Sequence, residues 1–290
     1  MAPILAEAGT HVLLQVFTLA SLGIDPARFV CELAPSFDAL PWDLYDVKRA
    51  QVERLLAHFP AERPRLERFL ADYFAGRASL AQLSELVQRL PEHEQRTLDA
   101  LAPTRRRAIA HFLLERRGDG WTIRRQAVAS FSQASATPGD YRTLPRTFAP
   151  LAKGVAEHPL FQQWLRAVGD QVRTARPEAE RLQVACHQMR SVASPGRRSS
   201  NAPEGIHQDG ADYIVSALVV ERRGVAGGES RVYDENREVL LRRTLEIGEG
   251  LFQADAGSPL WHDVTSIAFD PESGECEGVR SIFGLDIRLA

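Results

Sequence analysis

The chain has 290 residues, 44% of them hydrophobic, and a formal net charge of -3. That is enough apolar material for one large domain or a medium one with a companion, and the charge offers no basic field to draw nucleic acid. Cys31, Cys186 and Cys276 are odd in number, scattered and outside any CxxC spacing, which argues against a disulfide framework or zinc knuckle and fits a reducing cytoplasm.

In chain order, the opening run MAPILAEAGTHVLLQVFTLASLGID is apolar, but Glu7, His11 and Gln15 interrupt it at helical intervals. It predicts an amphipathic helix rather than a signal or an anchor. No segment reaches the ~20 apolar residues of a membrane span, so a soluble protein without membrane partners is expected. RLERFLADYF puts Leu66, Phe69, Leu70, Tyr73 and Phe74 on one helical face, and LAQLSELVQRL repeats the pattern with Leu80, Leu83, Val87 and Leu90. Pro41, Pro60, Pro64, Pro91 and Pro103 cut this region into short helices, because proline cannot continue a helix interior. In TRRRAIAHFLLERRGDG, Ile109, Phe112 and Leu113 keep helical spacing, which predicts another helix with its arginines solvated. RRGDGW then breaks it, and the reading is a helical domain over 1–118 followed by a second domain over 119–290.

Beyond 118 the pattern changes. LFQQWLRAVGDQVRTA, residues 160–175, still reads as a helix, but LQVACHQMRSV, DYIVSALVVE, ESRVYD, EVLLRRTLEI and VRSIFGLDIRL are strand-length runs bounded by Gly, Pro, Ser, Asp and Asn. Strands without intervening helices point to antiparallel sheets closed as a barrel or jelly roll. The fold class is α+β, a double-stranded β-helix with an N-terminal helical region. AGGESRVYD predicts a hairpin at Gly227-Gly228.

PEGIHQDGADYIV places His207 and Asp209 two residues apart at the head of an apolar run. In an extended chain their side chains share one side, with Cα atoms about 7 Å apart, which suits two ligands on one metal. Alone, the pair is also the hydrogen-bonded surface pair that chance supplies. GSPLWHDVTSI adds His262 on another strand-like run. Two imidazoles and one carboxylate on one side of a metal leave adjacent positions open, the arrangement of non-haem Fe(II) oxygenases. Arg280 opens the last strand; a buried guanidinium needs a carboxylate, which a dicarboxylate cosubstrate or an ordinary glutamate would supply.

HQMR, PEGIHQDG, GGESRVYD, His262 and GVRSI, in this order, resemble the iron(II)/2-oxoglutarate dioxygenases that hydroxylate free L-isoleucine and other aliphatic amino acids. The stretch ASFSQASATPGDYRTLPRTFAPL resembles the lead-in to their barrel, and the likeness covers about residues 121–290. It implies His207, Asp209 and His262 as catalytic Fe(II) ligands and Arg280 as the clamp on the distal carboxylate of 2-oxoglutarate. Where many relatives carry a serine two positions after the arginine this chain has Ile282, leaving adjacent Ser281 as the candidate. Because Asp209 is a carboxylate rather than Ala or Gly, hydroxylation is implied over halogenation. The reaction so implied consumes O2, releases succinate and CO2, and takes ascorbate as an accessory reductant.

For the substrate, an amino acid or a close derivative, Arg190 and Gln188 share one face of their strand and His187 the other. Arg190 is the candidate for a carboxylate, and Glu229 for an amine or for orienting a ligand histidine. Asp255 reads as a turn former. The helical region is a candidate for homodimer or carrier-protein contact. The alternatives are a hydroxylase of protein- or carrier-tethered residues and a non-catalytic metal-binding barrel.

Overall fold

The computed structural model describes residues 14–127, 131–132, 141–200 and 205–290. Strand β1 (Leu14–Thr18) leads to helix α1 (Pro26–Leu33), started by Pro26 and capped by the Asp25 carboxylate, which accepts from the Arg28 N–H at 3.1 Å. Helices α2 (Tyr45–His58), α3 (Arg63–Phe74), α4 (Ser84–Gln88) and α5 (Glu92–Ala100) follow. Strands β2 (Arg105–Arg117), β3 (Gly120–Gln126) and β4 (Ala149–Pro150) precede helices α6 (Lys153–Ala156) and α7 (Pro159–Ala175). The rest is strand: β5 (Arg181–Ala193), β6 (Tyr213–Arg223), β7 (Val225–Gly227), β8 (Glu229–Tyr233), β9 (Val239–Thr244), β10 (Glu249–Ala254), β11 (Trp261–Val264), β12 (Ile267–Phe269) and β13 (Gly278–Leu289).

The chain divides into two compact units, one of residues 42–103 and 129–148 and the other of 1–41, 104–128 and 149–290. The first is helical. Leu66, Leu70, Tyr73 and Phe74 of α3 are buried as their spacing requires, and Leu55, Leu83, Leu86, Leu90 and Leu98 close a leucine cluster around Leu66.

The second unit is built on an antiparallel sheet in the order β1-β10-β6-β13-β5-β2-β3, with β4 added parallel to β2. Its first face is apolar: Ala108, Ala110, Phe112 and Leu114 of β2, Leu182, Val184 and Cys186 of β5, and Phe283, Leu285 and Ile287 of β13 pack with Phe161, Trp164, Leu165 and Val168 of α7. Phe283 sits in an aromatic nest, 5.0 Å from Phe37, 5.3 Å from Phe161 and 5.8 Å from Trp164 between centroids. Helix α7 comes close to β3 at Gly169, where a Cβ would lie 2.8 Å from the Trp121 ring. The second face carries Ala217, Val219, Leu251 and Ile282, which pack with Val232 of β8 and with Leu245 and Leu260. Strand β8 belongs to a three-stranded sheet, β11-β8-β9, and β12 pairs β7 separately.

The α+β class stands, and α7 and the long strands fall where expected; among the described residues no sheet closes into a barrel. Four expectations need correction. Residues 105–117 form a strand, because Ala108, Ala110, Phe112 and Leu114 alternate into the core and the segment pairs with β5 from Arg105 to Glu115, so cross-strand pairing overrides helical spacing. Gly118 is therefore the turn of the β2–β3 hairpin, not a boundary between domains. Residues 1–13 of the expected first helix lie outside the described residues, and 14–18 form an edge strand on β10. Gly227-Gly228, with φ of +82° and +71°, is no hairpin. It carries the chain from β7, which pairs β12, to β8, which pairs β9 and β11.

No helix among the described residues is long and apolar enough to cross a membrane.

Candidate active site

His207 and Asp209 lie in the connection before β6 rather than inside a strand. A single antiparallel bridge fixes them: the His207 and His262 amides each donate to the other's carbonyl at 3.0 Å. Gly205 and Gly210 flank the pair at φ of +77° and +82°, the left-handed region that glycine enters freely. His262 comes from β11, whose partner opposite it is Val232 of β8.

The bridge brings the side chains together. Asp209 Oδ1 lies 3.5 Å from His207 Nε2, its Oδ2 3.4 Å from His262 Nε2, and the two imidazole centroids are 4.4 Å apart. The three ligand atoms all fall within 4.8 Å of one another, close enough for a shared cation to draw them onto itself. His207 Nδ1 donates to the Gly205 carbonyl at 2.7 Å, which fixes the tautomer and leaves Nε2 as the ligand atom. Burial works against a charged Asp209, yet the two imidazoles beside it, His207 and His262, hold its carboxyl well below the usual range.

A second layer holds the ligand loop. Asp255, expected as a turn former, is fully buried and accepts the Asp209, Gly210 and Ala211 amides at 2.8–3.2 Å. One of its oxygens lies 3.9 Å from His262 Nδ1. Burial and the Asp209 charge push its pKa up to about 6. Gln208 Nε2 donates to the carbonyls of Asp255, Ser258 and Leu260 at 2.8–3.1 Å, joining the loop to the strand that delivers His262.

The sheet register shows what faces this cluster. Arg280 of β13 stands opposite Arg222 of β6 and Ser191 of β5, and Ser191 opposite Arg105 of β2. The next row holds Ile282, Met189 and Arg107, the next Gly284, His187 and Ile109, and the last Asp286, Ala185 and His111. Ile282 assigns these rows to the second face, the one turned to β8. Arg280 is 2% exposed, and its Nε and Nη2 have no hydrogen-bond partner. Burial, helped by the Arg222 charge, pulls its pKa down to about 10. A buried guanidinium without a counterion is the complement of a carboxylate, so the donor set fits both Fe(II) and a dicarboxylate.

Of the expected substrate and cosubstrate residues, His187 faces this region and four others do not. Arg190 and Gln188 lie on the first face of the sheet, where Arg190 pairs with Asp38 and Glu221 and Gln188 donates to Ser36 at 2.7 Å. Ser281 is on that same face, donating to Glu221 at 2.7 Å. Each is one residue out of phase with Arg280 or Ser191, and one step along a strand reverses the side chain. Glu229 is out of phase with Val232, which packs inward, and pairs with Arg231 at 2.7 Å. The arginines on the site face, Arg105 and Arg107, are 3% and 8% exposed; expecting a helix there assigned them to solvent. The signal that locates them is the alternation of Arg105, Arg107, Ile109 and His111 with four core residues.

Arg107 Nη2 donates to His187 Nδ1 at 2.7 Å, and His187 Nε2 lies 3.2 Å from Asp286. Because arginine cannot accept, His187 is neutral with its proton on Nε2. Its pKa is lowered by burial and then by the Arg107 charge.

The family model described as 2OG-Fe dioxygenase matches residues 86–286. Among solved structures, a bsmA homolog from Methylobium petroleophilum PM1 is similar at a TM-score of 0.64 and 19% identity, covering 95% of this chain and 88% of that one. IDO from Bacillus thuringiensis is similar at 0.52 and 19%, covering 71% and 91%. At these identities the likeness is one of fold. No curated protein sequence matches significantly. Because the family match runs through His207, Asp209, His262 and Arg280 alike, the chain belongs to the 2OG-Fe dioxygenases, and its site takes Fe(II) and 2-oxoglutarate.

Proposed function

We propose that this dioxygenase hydroxylates an unactivated C–H bond of a free amino acid or a close small-molecule acid. The observation that carries the reading is Arg107, buried on the face that also bears Arg280 and held by His187. An arginine inside a site recognises a planar anion, and the carboxylate of an amino acid is the simplest such group. The two facing sheets, with Val219 and Ile282 against Val232 between them, support an opened double-stranded β-helix. Three free thiols are in keeping with the cytoplasm.

Bound Fe(II) and 2-oxoglutarate supply the oxidation, in which one oxygen atom of O2 enters the substrate and the other leaves in succinate as CO2 is released. The chain supplies position. His207, Asp209 and His262 would hold the metal, which would activate O2 against the cosubstrate. Arg280 would fix the far end of the dicarboxylate, and Arg107 would align the substrate by its carboxylate. Neutral His187 keeps Arg107 from swinging away without competing for the anion's charge.

The test incubates a pool of free amino acids with the protein, Fe(II), ascorbate and 2-oxoglutarate and seeks a product heavier by one oxygen atom. His207→Ala should abolish succinate formation, whereas Arg107→Leu should keep 2-oxoglutarate binding and lose the oxygenated product. Oxygenation of peptide or carrier-bound substrates alone would overturn the free-acid reading.

A further inference from the structure

Arg222 stands directly across from Arg280 in the β6–β13 ladder. Like charges in that relation destabilise a sheet, and here one of them is buried. Arg222 Nη2 donates to the Gly227 carbonyl at 2.8 Å, but its Nη1 is buried with no partner, as are Nε and Nη2 of Arg280. Among the described residues no carboxylate pairs with either guanidinium. Both side chains converge on Gly228: a Cβ there would meet Arg280 Cδ at 3.1 Å and Arg222 Nη1 at 3.2 Å. Three buried N–H groups on two adjacent cations ask for an anion, since a buried donor left unmade is costly.

We propose that Arg222 is a second cationic contact for the distal carboxylate of 2-oxoglutarate, so that a guanidinium pair, not Arg280 alone, selects the dicarboxylate. Arg280 is anchored deep in the sheet, whereas the half-buried Arg222 is tied to Gly227 at the point where the chain passes from β7 to β8. One arginine therefore sets the depth of the carboxylate and the other closes over it. The inference rests on 2-oxoglutarate binding at Arg280.

Calorimetric titration of the Fe(II)-loaded protein under nitrogen tests it with two ligands, 2-oxoglutarate and 2-oxopentanoate, which ends in a methyl group where 2-oxoglutarate has its distal carboxylate. Arg222→Met should weaken 2-oxoglutarate roughly tenfold or more, the scale of one lost charge-assisted contact. It should leave 2-oxopentanoate unchanged, and Arg222→Lys should recover most of the loss. An unchanged 2-oxoglutarate affinity in Arg222→Met overturns the assignment, and so does an equal loss for both ligands, the mark of a fold defect. Wild-type protein that binds no 2-oxoglutarate would instead overturn the cosubstrate assignment on which this one rests.

Discussion

Gln208, which stands between two of the candidate metal ligands, donates its side-chain amide to backbone carbonyls. Its amide ties Asp255, Ser258 and Leu260 to the loop that carries His207 and Asp209, so Gln208→Ala should loosen both ligand segments at once. Outer partners of this kind are worth roughly 10- to 100-fold in metal affinity, which a Mn(II) or Fe(II) titration would read; unchanged affinity would refute the role. Cysteine chemistry is a second residue-scale outcome. Cys186 is fully buried and burial pushes its thiol pKa up, whereas Cys31 and Cys276 are exposed. A thiol reagent should therefore label Cys31 and Cys276 in the native protein and reach Cys186 only after denaturation. At this scale the sequence was informative wherever chemistry stood in a short motif: the His-x-Asp pair and the distant histidine do meet. It assigned Asp255 only a turn-forming role, because a carboxylate that caps three amides is spelled like one that turns a loop.

At the scale of the element, parity decides which side chain meets the site. Arg190 and Arg280 are both arginines on neighbouring strands, yet one residue of phase sends the first to Asp38 and Glu221 and the second to the metal side. Sequence locates the strands; it does not say which face of each turns inward, because both faces of β5 are buried. Strand β2 was the larger miss. Its arginines disguised a period of two, and only pairing with β5 separates the core row from the site row. The aromatic nest around Phe283 gives this scale its prediction. Phe283 links β13 to α7 and to Phe37, so Phe283→Ala should cost about 3–5 kcal/mol in urea denaturation. A loss below about 1 kcal/mol would mean that the nest refills around the gap.

For the whole molecule, the site adds metal- and proton-linked terms to stability. Fe(II) or Mn(II) at 100 times its dissociation constant should stabilise the fold by about 2.7 kcal/mol, seen as a rise in Tm that Asp209→Ala removes. Protons act oppositely. Burial lowers the pKa of both His187 and His111, with Arg107 adding to the effect at the first and His187 at the second. Near the ordinary imidazole value of 6.5 the unfolded chain binds more protons than the folded one, so stability rises as pH climbs through that value and is lost as it falls. His187→Gln should flatten this slope in acid titrations followed by circular dichroism; an undiminished slope would place the linkage elsewhere.

The rows across the sheet carry a consequence for descent. The candidate metal ligands lie on the connection before β6 and on β11, Arg280 lies on β13, and the buried Arg107 beside His187 lies on β2. The three proposed tasks thus sit on four separate stretches of backbone. On the proposed reading, exchanges along β2 change which acid is accepted, while the candidate metal ligands and Arg280 stay where they are.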